Sequence, residues 1–256
     1  MISAPGKMIG KGLTAEIFLG ENGRIIKLFF ARFPRVKAER EFQITRALHG
    51  AGLPVPAAYD VIDIDGRSGI ILEHIHGPSL LKLVERQPWK LFYGARLLAD
   101  LHVQIHQCTA PAELPTQRGQ IETWLANARD FTLEERRAAE ASLALLPDGS
   151  SVCHADFHPA NILLSPRGPI IIDWTGGTRG HGYADVARTS ILFESASLPA
   201  ESPWHIHLLL KIARRLLHRA YLARYLQLRR GAISDITPWL PAQRAASSAW
   251  RAVQDL

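Results

Sequence analysis

This sequence contains a dense set of polar residues that is followed at once by a predicted β-hairpin, and the combination restricts the folds that the chain can adopt. The segment 154–161 reads His-Ala-Asp-Phe-His-Pro-Ala-Asn and places Asp156 five residues before Asn161. Two short apolar runs then flank the turn Ser-Pro-Arg-Gly and predict a hairpin over 162–172. A second carboxylate, Asp173, follows the hairpin directly. The fold must therefore accommodate a polar loop, a hairpin and a carboxylate in that order.

Three side chains of this region suit the transfer of a phosphoryl group. Such a transfer needs one carboxylate that orients the acceptor hydroxyl and hard oxygen ligands that hold Mg²⁺ on the phosphates. Asp156, Asn161 and Asp173 provide these groups. The alternating His154, Asp156 and His158 also fit part of a binuclear hydrolase metal site, but the further His and Asp ligands of such a site show no recognisable spacing.

The loop and the residues after the hairpin resemble those of a known enzyme group. The pattern H-x-D-x-H-P-x-N-I-L, followed by I-D-W, is similar to that of the aminoglycoside phosphotransferase and choline kinase group of small-molecule kinases, which have a protein-kinase-like fold. The resemblance implies that Asp156 is the catalytic base and that Asn161 and Asp173 bind Mg²⁺. Ala155 stands where the family usually has glycine, a replacement that is mild unless the backbone needs a positive φ.

The same resemblance assigns residues near the beginning of the chain to ATP. Lys27, on the third predicted strand, matches the lysine that contacts the α- and β-phosphates. Glu41, on the predicted helix, matches the glutamate that pairs with this lysine, although Glu39 is close enough to compete for the role. Gly10 and Gly12 lie between the first two strands, where backbone NH groups approach phosphates.

Two further segments complete the resemblance, which runs from about residue 8 to residue 192. The connector after the fifth strand matches the kinase hinge, so the Glu73 carbonyl and the Ile75 NH are expected to bind adenine. Asp185, in Tyr-Ala-Asp-Val-Ala, matches a carboxylate that anchors the catalytic loop. The cofactors that the resemblance implies are ATP and Mg²⁺.

Apolar patterning predicts an α+β fold in two lobes. Tight turns and short apolar runs in the first lobe, residues 1–76, indicate a five-stranded antiparallel sheet with one helix. Apolar steps of three and four residues in the second lobe, residues 77–256, indicate a larger, mainly helical part that carries the hairpin. The predicted strands lie within 7–30 and at 58–64 and 69–73, and the predicted helices lie at 34–49, 80–84, 89–106, 203–228 and 238–253.

Length and composition favour a globular protein of the cytoplasm. The chain has 256 residues, of which 47% are hydrophobic and 21% charged, and is long enough to bury a sizeable core. Its first residues lack the apolar region of a signal peptide, and no run approaches the roughly 18 apolar residues of a membrane span. Cys108 and Cys153 lack metal-ligand spacing and suit a reducing compartment.

Basic charge is concentrated towards the end of the sequence. Residues 201–256 contain nine Lys and Arg but three Asp and Glu, a surplus equal to the net charge of +6 of the whole chain. Ordinary amphipathicity explains the basic helix around 211–224: the charges at 211, 214, 215 and 218 share one face, and the apolar face largely opposite is formed by Leu209, Leu210, Ala213, Leu217 and Ala220. No stacking aromatic pattern and no polybasic run accompanies it, so neither nucleic-acid nor membrane-surface binding is favoured. Because the C-terminal helices of the resembled family help to form the acceptor pocket, we expect a neutral or anionic small-molecule acceptor and not a polycation.

Two other functions fit parts of the same pattern. An atypical protein kinase shares the loop, but no A-P-E-like segment that would hold a peptide follows Asp173. A nucleotide-binding pseudokinase that serves as an interaction module would lack some catalytic residues, whereas here the base, the metal ligands and the lysine are all present. The sequence therefore favours a small-molecule phosphotransferase.

Overall fold

The computed structural model describes residues 6–127, 132–195 and 204–254. The chain divides into two compact units. The first consists of Met1–Pro78 with Ile162–Gly177, and the second of Ser79–Asn161 with Thr178–Leu256. The hairpin therefore packs as part of the first unit, and a lobe boundary between residues 76 and 77 stays a prediction. The segment that would carry a signal peptide lies partly outside the described residues.

The elements follow the predicted α+β pattern over the described ranges. The strands are β1 Met8–Lys11, β2 Ala15–Leu19, β3 Arg24–Phe29, β4 Ala58–Ile64, β5 Arg67–Glu73, β6 Ser151–Cys153, β7 Ile162–Ser165, β8 Gly168–Ile171 and β9 Thr178–Gly180. The α-helices are α1 Arg35–Gly50, α2 Leu80–Arg86, α3 Leu91–Gln107, α4 Gln117–Ala126, α5 Leu133–Ala144, α6 Gly182–Ser195, α7 Trp204–Arg229, α8 Ile233–Ile236 and α9 Leu240–Gln254. Short 3-10 turns lie at Pro88–Lys90, Pro159–Asn161, Trp174–Gly176 and Thr237–Trp239.

The first unit is built on an antiparallel sheet of five strands within residues 8–73, in the order β1-β2-β3-β5-β4. Alternation along β3 divides its side chains between the two faces of the sheet. Ile26 and Leu28 pack with Ile64 on one face. Phe29 packs with Ala38 of α1 on the other face. Lys27 lies two residues before Phe29 on the same strand, so its side chain also points to the face that α1 covers.

The β7–β8 hairpin is fixed to the rest of the first unit by backbone hydrogen bonds. The Ile171 NH donates to the Pro54 carbonyl at 2.7 Å, and the Leu164 NH donates to the Pro78 carbonyl at 2.9 Å. Gly77 has φ 149°, and a Cβ there would lie 2.0 Å from the Leu164 carbonyl oxygen. Only glycine allows the hairpin to approach the end of the connector this closely.

The second unit is mainly helical in its described residues, as predicted. The buried face of α3 packs against α7, and α9 packs against α4, α5 and α6. The short strands β6 and β9 pair antiparallel, with Cys153 opposite Thr178. The predicted helices near 80–84, 89–106, 203–228 and 238–253 correspond to α2, α3, α7 and α9, although residue 203 lies outside the described ranges.

The surface of α7 differs from the sequence prediction. Leu217 is buried as expected, but Leu209, assigned to the same apolar face, is exposed. Leu208, Ile212 and Leu216 are exposed as well. The predicted apolar face therefore holds at Leu217, which lies on one buried stripe with Tyr221 and Tyr225, and is wrong at Leu209. No described helix has both the length and the continuous hydrophobicity needed to cross a bilayer.

Candidate active site

A buried ionic cluster lies on the helix-covered face of the sheet in the first unit. The Lys27 ammonium donates to both carboxylate oxygens of Glu41, at 2.8 Å and 2.9 Å, and to Oδ1 of Asp173 at 2.9 Å. Burial alone would lower the pKa of Lys27, but the charges of Asp173 and Glu41 outweigh it and raise this pKa. Lys27 is therefore held as an ammonium. Glu39 instead forms a surface pair with Arg35.

Thr175 joins the two carboxylates of this cluster and was not predicted. Its hydroxyl lies 2.6 Å from Oε2 of Glu41 and 2.8 Å from Oδ1 of Asp173. Asp173 adopts a left-handed backbone, φ 65° and ψ 63°, which Asp tolerates better than most side chains. The Asp173 side chain is 36% exposed. Its carboxylate is thus oriented by Lys27 and Thr175 while part of it still faces solvent.

The predicted phosphate-binding glycines lie at the start of the same sheet. Gly10 belongs to β1, and Gly12 begins the turn into β2, where its NH donates to the Ala15 carbonyl at 2.9 Å. A Cβ at either position would meet its neighbours no closer than 3.6 Å, so the folded backbone does not itself require glycine there. The Arg32 guanidinium donates to the carbonyl of Leu13 at 3.2 Å and holds this turn.

The predicted hinge residues follow the last strand of the sheet. Glu73 ends β5, and its carboxylate accepts bonds from the Ala57 NH at 3.3 Å and from Arg167 in the hairpin turn. Its side chain therefore joins the connector to the hairpin. Ile75 is buried. Their expected contacts with adenine through the backbone stay a prediction.

The loop predicted to be catalytic, residues 154–161, lies in the second unit. The amide nitrogen of Asn161 donates to the main-chain carbonyl of Asp156 at 3.0 Å and to its Oδ2 at 3.2 Å. His158 places Nε2 3.5 Å from the same Oδ2 and 3.3 Å from the Asn161 nitrogen. Its Nδ1 accepts a bond from the Ala160 NH at 3.3 Å. His158 thus acts as a hydrogen-bonding residue of the loop, while the Asp156 side chain stays 40% exposed.

Asp185 of α6 holds the backbone of this loop from within the second unit. Its carboxylate accepts bonds from the NH groups of His154 at 2.6 Å and Ala155 at 2.7 Å. It also contacts the Nε2 atoms of His102 at 3.1 Å and His106 at 3.2 Å. Burial would raise the pKa of Asp185, but the bonds from the two histidines hold it well below its usual range. Asp185 is therefore a buried carboxylate with a structural role.

Two tyrosines complete the network around Asp185. The Tyr221 hydroxyl lies 2.6 Å from Nδ1 of His102, and the Tyr225 hydroxyl lies 2.7 Å from Nδ1 of His106. If each tyrosine donates, each histidine is neutral with its proton on Nε2, where it donates to Asp185. Burial, with the neighbouring His106, lowers the pKa of His102 to about 3 and agrees with this assignment.

His102, His106 and Asp185 also lie close enough together to hold a metal ion. Each of their ring nitrogens and carboxylate oxygens already has a hydrogen-bond partner in the network. Hydrogen bonding therefore accounts for the cluster without a metal. Neither histidine was predicted from the sequence, although the i,i+4 spacing of His102 and His106 on α3 matches that of Tyr221 and Tyr225 on α7.

Ala155 corrects one expectation from the sequence. Its φ is 65°, in the left-handed region where the Cβ of alanine is strained. The replacement of the usual glycine is therefore not mild. The loop keeps this conformation because Asp185 binds the Ala155 NH and Arg188 donates to the Ala155 carbonyl at 3.1 Å.

A cavity of about 350 Å³ lies elsewhere in the second unit. Its lining includes Gln117, Arg118, Arg179 and Trp239. It borders Ser150 and Gly180, at the end of the β6–β9 pair away from the loop that follows Cys153. This cavity is consequently not beside Asp156.

Comparison with known proteins identifies the family. Residues 7–203 match the phosphotransferase enzyme family. The chain belongs to this family. Among solved structures, an aminoglycoside-3'-phosphotransferase of type VIII has a TM-score of 0.64 at 19% identity, over 95% of this chain and 91% of that one. A choline kinase from Cryptosporidium parvum has a TM-score of 0.56 at 15% identity, over 96% of this chain and 82% of that one. These similarities show the kinase-like fold.

A further similar structure is an aminoglycoside phosphotransferase from Streptomyces rimosus in complex with ADP and streptomycin. Its TM-score is 0.56 at 18% identity, over 90% of each chain. Two sequence relatives are named as acyl-CoA dehydrogenase family members. Member 10 of Mus musculus is 28% identical over 64% of this chain, and member 11 of Gallus gallus is 27% identical over 63%. The matches span 17% and 24% of those two proteins, so the chain covers less than a quarter of their length.

Proposed function

We propose that this phosphotransferase moves the γ-phosphoryl group of ATP to a hydroxyl of a small molecule, with Mg²⁺ as cofactor. The observation that carries the proposal is the Lys27–Glu41–Asp173 cluster, because it holds an ammonium and a partly exposed carboxylate side by side. Phosphoryl transfer relies on positioned charge of this kind more than on covalent chemistry.

Within this proposal each predicted site residue has one role. Lys27, positioned by Glu41, binds the α- and β-phosphates of ATP. The backbone around Gly10 and Gly12 covers the phosphates, and the backbone of Glu73 and Ile75 binds adenine. Asp156 accepts the proton of the acceptor hydroxyl as the oxygen attacks the γ-phosphorus and ADP leaves.

The donor atoms fit Mg²⁺, which prefers hard oxygen ligands. Asp173 offers a partly exposed carboxylate that Lys27 and Thr175 already orient. The amide nitrogen of Asn161 is used within the catalytic loop, so its amide oxygen is the atom that it would offer. When bound, the ion would neutralise charge on the phosphates. Asp173 and Asn161 would hold it.

The acceptor is proposed to be neutral or anionic. The carboxylates near the end of the described chain are already engaged: Glu194 pairs with Arg244 at 3.2 Å, and Asp235 accepts a bond from the Ala232 NH at 2.8 Å. With basic residues in excess there, a polycation would meet repulsion. A hydroxylated acyl thioester of coenzyme A is one anionic candidate, in view of the names of the sequence relatives.

A screen for phosphorylated products tests this function. Wild-type protein with Mg·ATP is offered neutral alcohols, sugars, hydroxy acids, a hydroxyacyl-coenzyme A and aminoglycosides, and the release of ADP is coupled to a colour reaction. Mass spectrometry then identifies the phosphorylated compound. We expect transfer to a neutral or anionic alcohol. Transfer to aminoglycosides alone would contradict the acceptor class, and transfer to protein side chains alone would favour an atypical protein kinase.

A further inference from the structure

A second lysine of the first unit lies close to the ionic cluster. Lys37 precedes Glu41 by four residues, so the two side chains lie on one face of α1, a helical turn apart. Other residues of that face, Ile44 and Leu48, are buried. A lysine at this place is directed towards the sheet that α1 covers.

Aromatic rings connect Lys37 to the groups expected to bind phosphate. Its ammonium lies 3.9 Å from the centre of the Phe33 ring and 6.0 Å from that of Phe29. The Lys27 ammonium lies 5.4 Å from the same Phe29 centre. Arg32, which holds the glycine-rich turn, lies 5.0 Å from the Phe33 centre. Lys37 therefore shares one ring with Lys27 and another with Arg32.

Charged groups of both signs lie around Lys37. Among those that act on it are Lys27 and Arg32, both positive, and Asp173 and Glu41, both negative. Both carboxylates already bind the Lys27 ammonium. These five groups include three cations, Lys27, Arg32 and Lys37, which would attract a phosphate oxyanion.

An ordinary surface lysine would place its stem on the sheet and its ammonium in water. Lys37 departs from this picture because its ammonium lies against Phe33 and its side chain is partly buried. Burial, followed by the charge of Lys27, lowers the pKa of Lys37 to about 8. The Lys37 ammonium is thus held against aromatic rings and near a second cation, where a phosphate oxyanion would stabilise it.

We propose that Lys37 is a second phosphate-binding residue of this site, which contacts phosphate oxygens of the bound nucleotide in addition to those bound by Lys27. The inference rests on the proposed use of ATP. It assigns to α1 a direct part in binding, beyond the positioning of Lys27 by Glu41. The expected ligand of Lys37 is a phosphate oxyanion of the nucleotide. A phosphate group carried by the acceptor has the same chemistry, so the test must distinguish these two sources.

Isothermal titration of the full chain with ATP, ADP, adenosine and inorganic phosphate, each with Mg²⁺, tests the proposal. The variants are Lys37→Met, Lys37→Arg and, as a matched control, Lys7→Met, which removes an exposed lysine of the same unit. We expect Lys37→Met to bind ATP about tenfold more weakly, the loss of roughly one charge-assisted hydrogen bond. Adenosine affinity should not change, Lys37→Arg should retain most of the ATP affinity, and Lys7→Met should match wild type.

The outcomes separate the inference from the proposed function. If wild type binds ATP and Lys37→Met binds it equally well, the inference is wrong while the function stands. Equal losses for adenosine and ATP would show a general disturbance of the fold and also overturn the inference. If Lys37→Met weakens the binding of inorganic phosphate alone, the phosphate group that Lys37 binds belongs to the acceptor and not to the nucleotide. This result would also contradict the inference. If wild type binds no nucleotide, the proposed function itself fails.

Discussion

The ammonium of Lys27 lies within 2.9 Å of both carboxylate oxygens of Glu41, and both side chains are buried. Removing one partner of a buried ion pair costs about 3–5 kcal/mol because the other charge is left without compensation. In Glu41→Gln, Lys27 keeps its bond to Asp173. We therefore expect the free energy of unfolding, measured with urea, to fall by about 2–4 kcal/mol, together with weaker ATP binding.

Glu39→Gln is the matched control for this prediction. Glu39 pairs with Arg35 at the surface, where an ion pair contributes less than about 1 kcal/mol. Its loss should leave unfolding and ATP affinity nearly unchanged. If the two variants lose equal stability, or if only Glu39→Gln weakens ATP binding, the pairing of Lys27 with Glu41 has no functional importance.

Asp173 is expected to determine how Mg²⁺ affects nucleotide binding. In a thermal-shift assay, wild type should be stabilised more by ATP with Mg²⁺ than by ATP alone, because binding to the folded state raises its stability. Asp173→Ala removes the charged ligand and should abolish the Mg²⁺-dependent part of the shift. Asp60→Ala, an exposed change on β4 of the same unit, should preserve it. A full Mg²⁺-dependent shift in Asp173→Ala would refute the metal assignment.

The backbone of Ala155 provides a prediction about stability. A non-glycine residue in the left-handed region is strained by about 1–2 kcal/mol, whereas glycine costs more entropy on folding. The balance predicts that Ala155→Gly raises the free energy of unfolding by about 0.5–1 kcal/mol. Ala160→Gly, in the same loop but at a position without positive φ, should lower it. A stability loss in Ala155→Gly would show that the loop accommodates alanine without strain.

The network around Asp185 predicts how stability depends on pH. The pKa of His102 is about 3 in the folded chain and about 6.5 in an unfolded one. Between these values the unfolded state binds the extra proton, so the contribution of His102 to stability is fully present above pH 6.5 and is lost progressively as pH is lowered towards 3. The fall due to His102 is about 1.4 kcal/mol per pH unit.

Urea unfolding of wild type and His102→Gln between pH 7 and pH 4 measures this contribution. The variant should be less stable at pH 7 but should lose stability more gradually on acidification, because the buried titrating group is gone. Parallel curves for wild type and His102→Gln would contradict the neutral, buried state of His102.

Much of the fold could be predicted because its elements have strong local patterns. The strands of the first unit, α1 and the hairpin are bounded by tight turns and prolines, and they lie close to the predicted ranges. Helices α4 and α5 were not assigned individually. Helix α4 buries Gln117 and Gln120 beside apolar residues, and α5 buries little more than Ala139 and Leu143. A pattern of apolar residues cannot show helices of this kind.

The candidate site was predicted in part for a similar reason. Spacing along one stretch of sequence indicated Asp156, Asn161 and Asp173, while the roles of all three stay predictions. Thr175 contacts Glu41 because the segment after the hairpin packs on α1, and Lys37 contacts Phe29 because α1 packs on the sheet. No short sequence motif predicts either contact. The positive φ of Ala155 likewise depends on bonds to α6 and has no signature in the residue itself.

The rate of phosphoryl transfer by Asp156→Asn tests whether Asp156 is the base that accepts the acceptor's hydroxyl proton. Asparagine keeps the size of the side chain but cannot accept the hydroxyl proton, so the transfer rate should fall by at least about a hundredfold. The measurement is the rate of product formation with the acceptor found in the screen, at an ATP concentration that saturates both proteins. ATP affinity, measured on the same samples, should stay within about threefold of wild type, since Asp156 is not assigned to the metal or to the phosphates. Transfer at the wild-type rate by Asp156→Asn, or no transfer by wild type to any hydroxyl compound, would contradict the account.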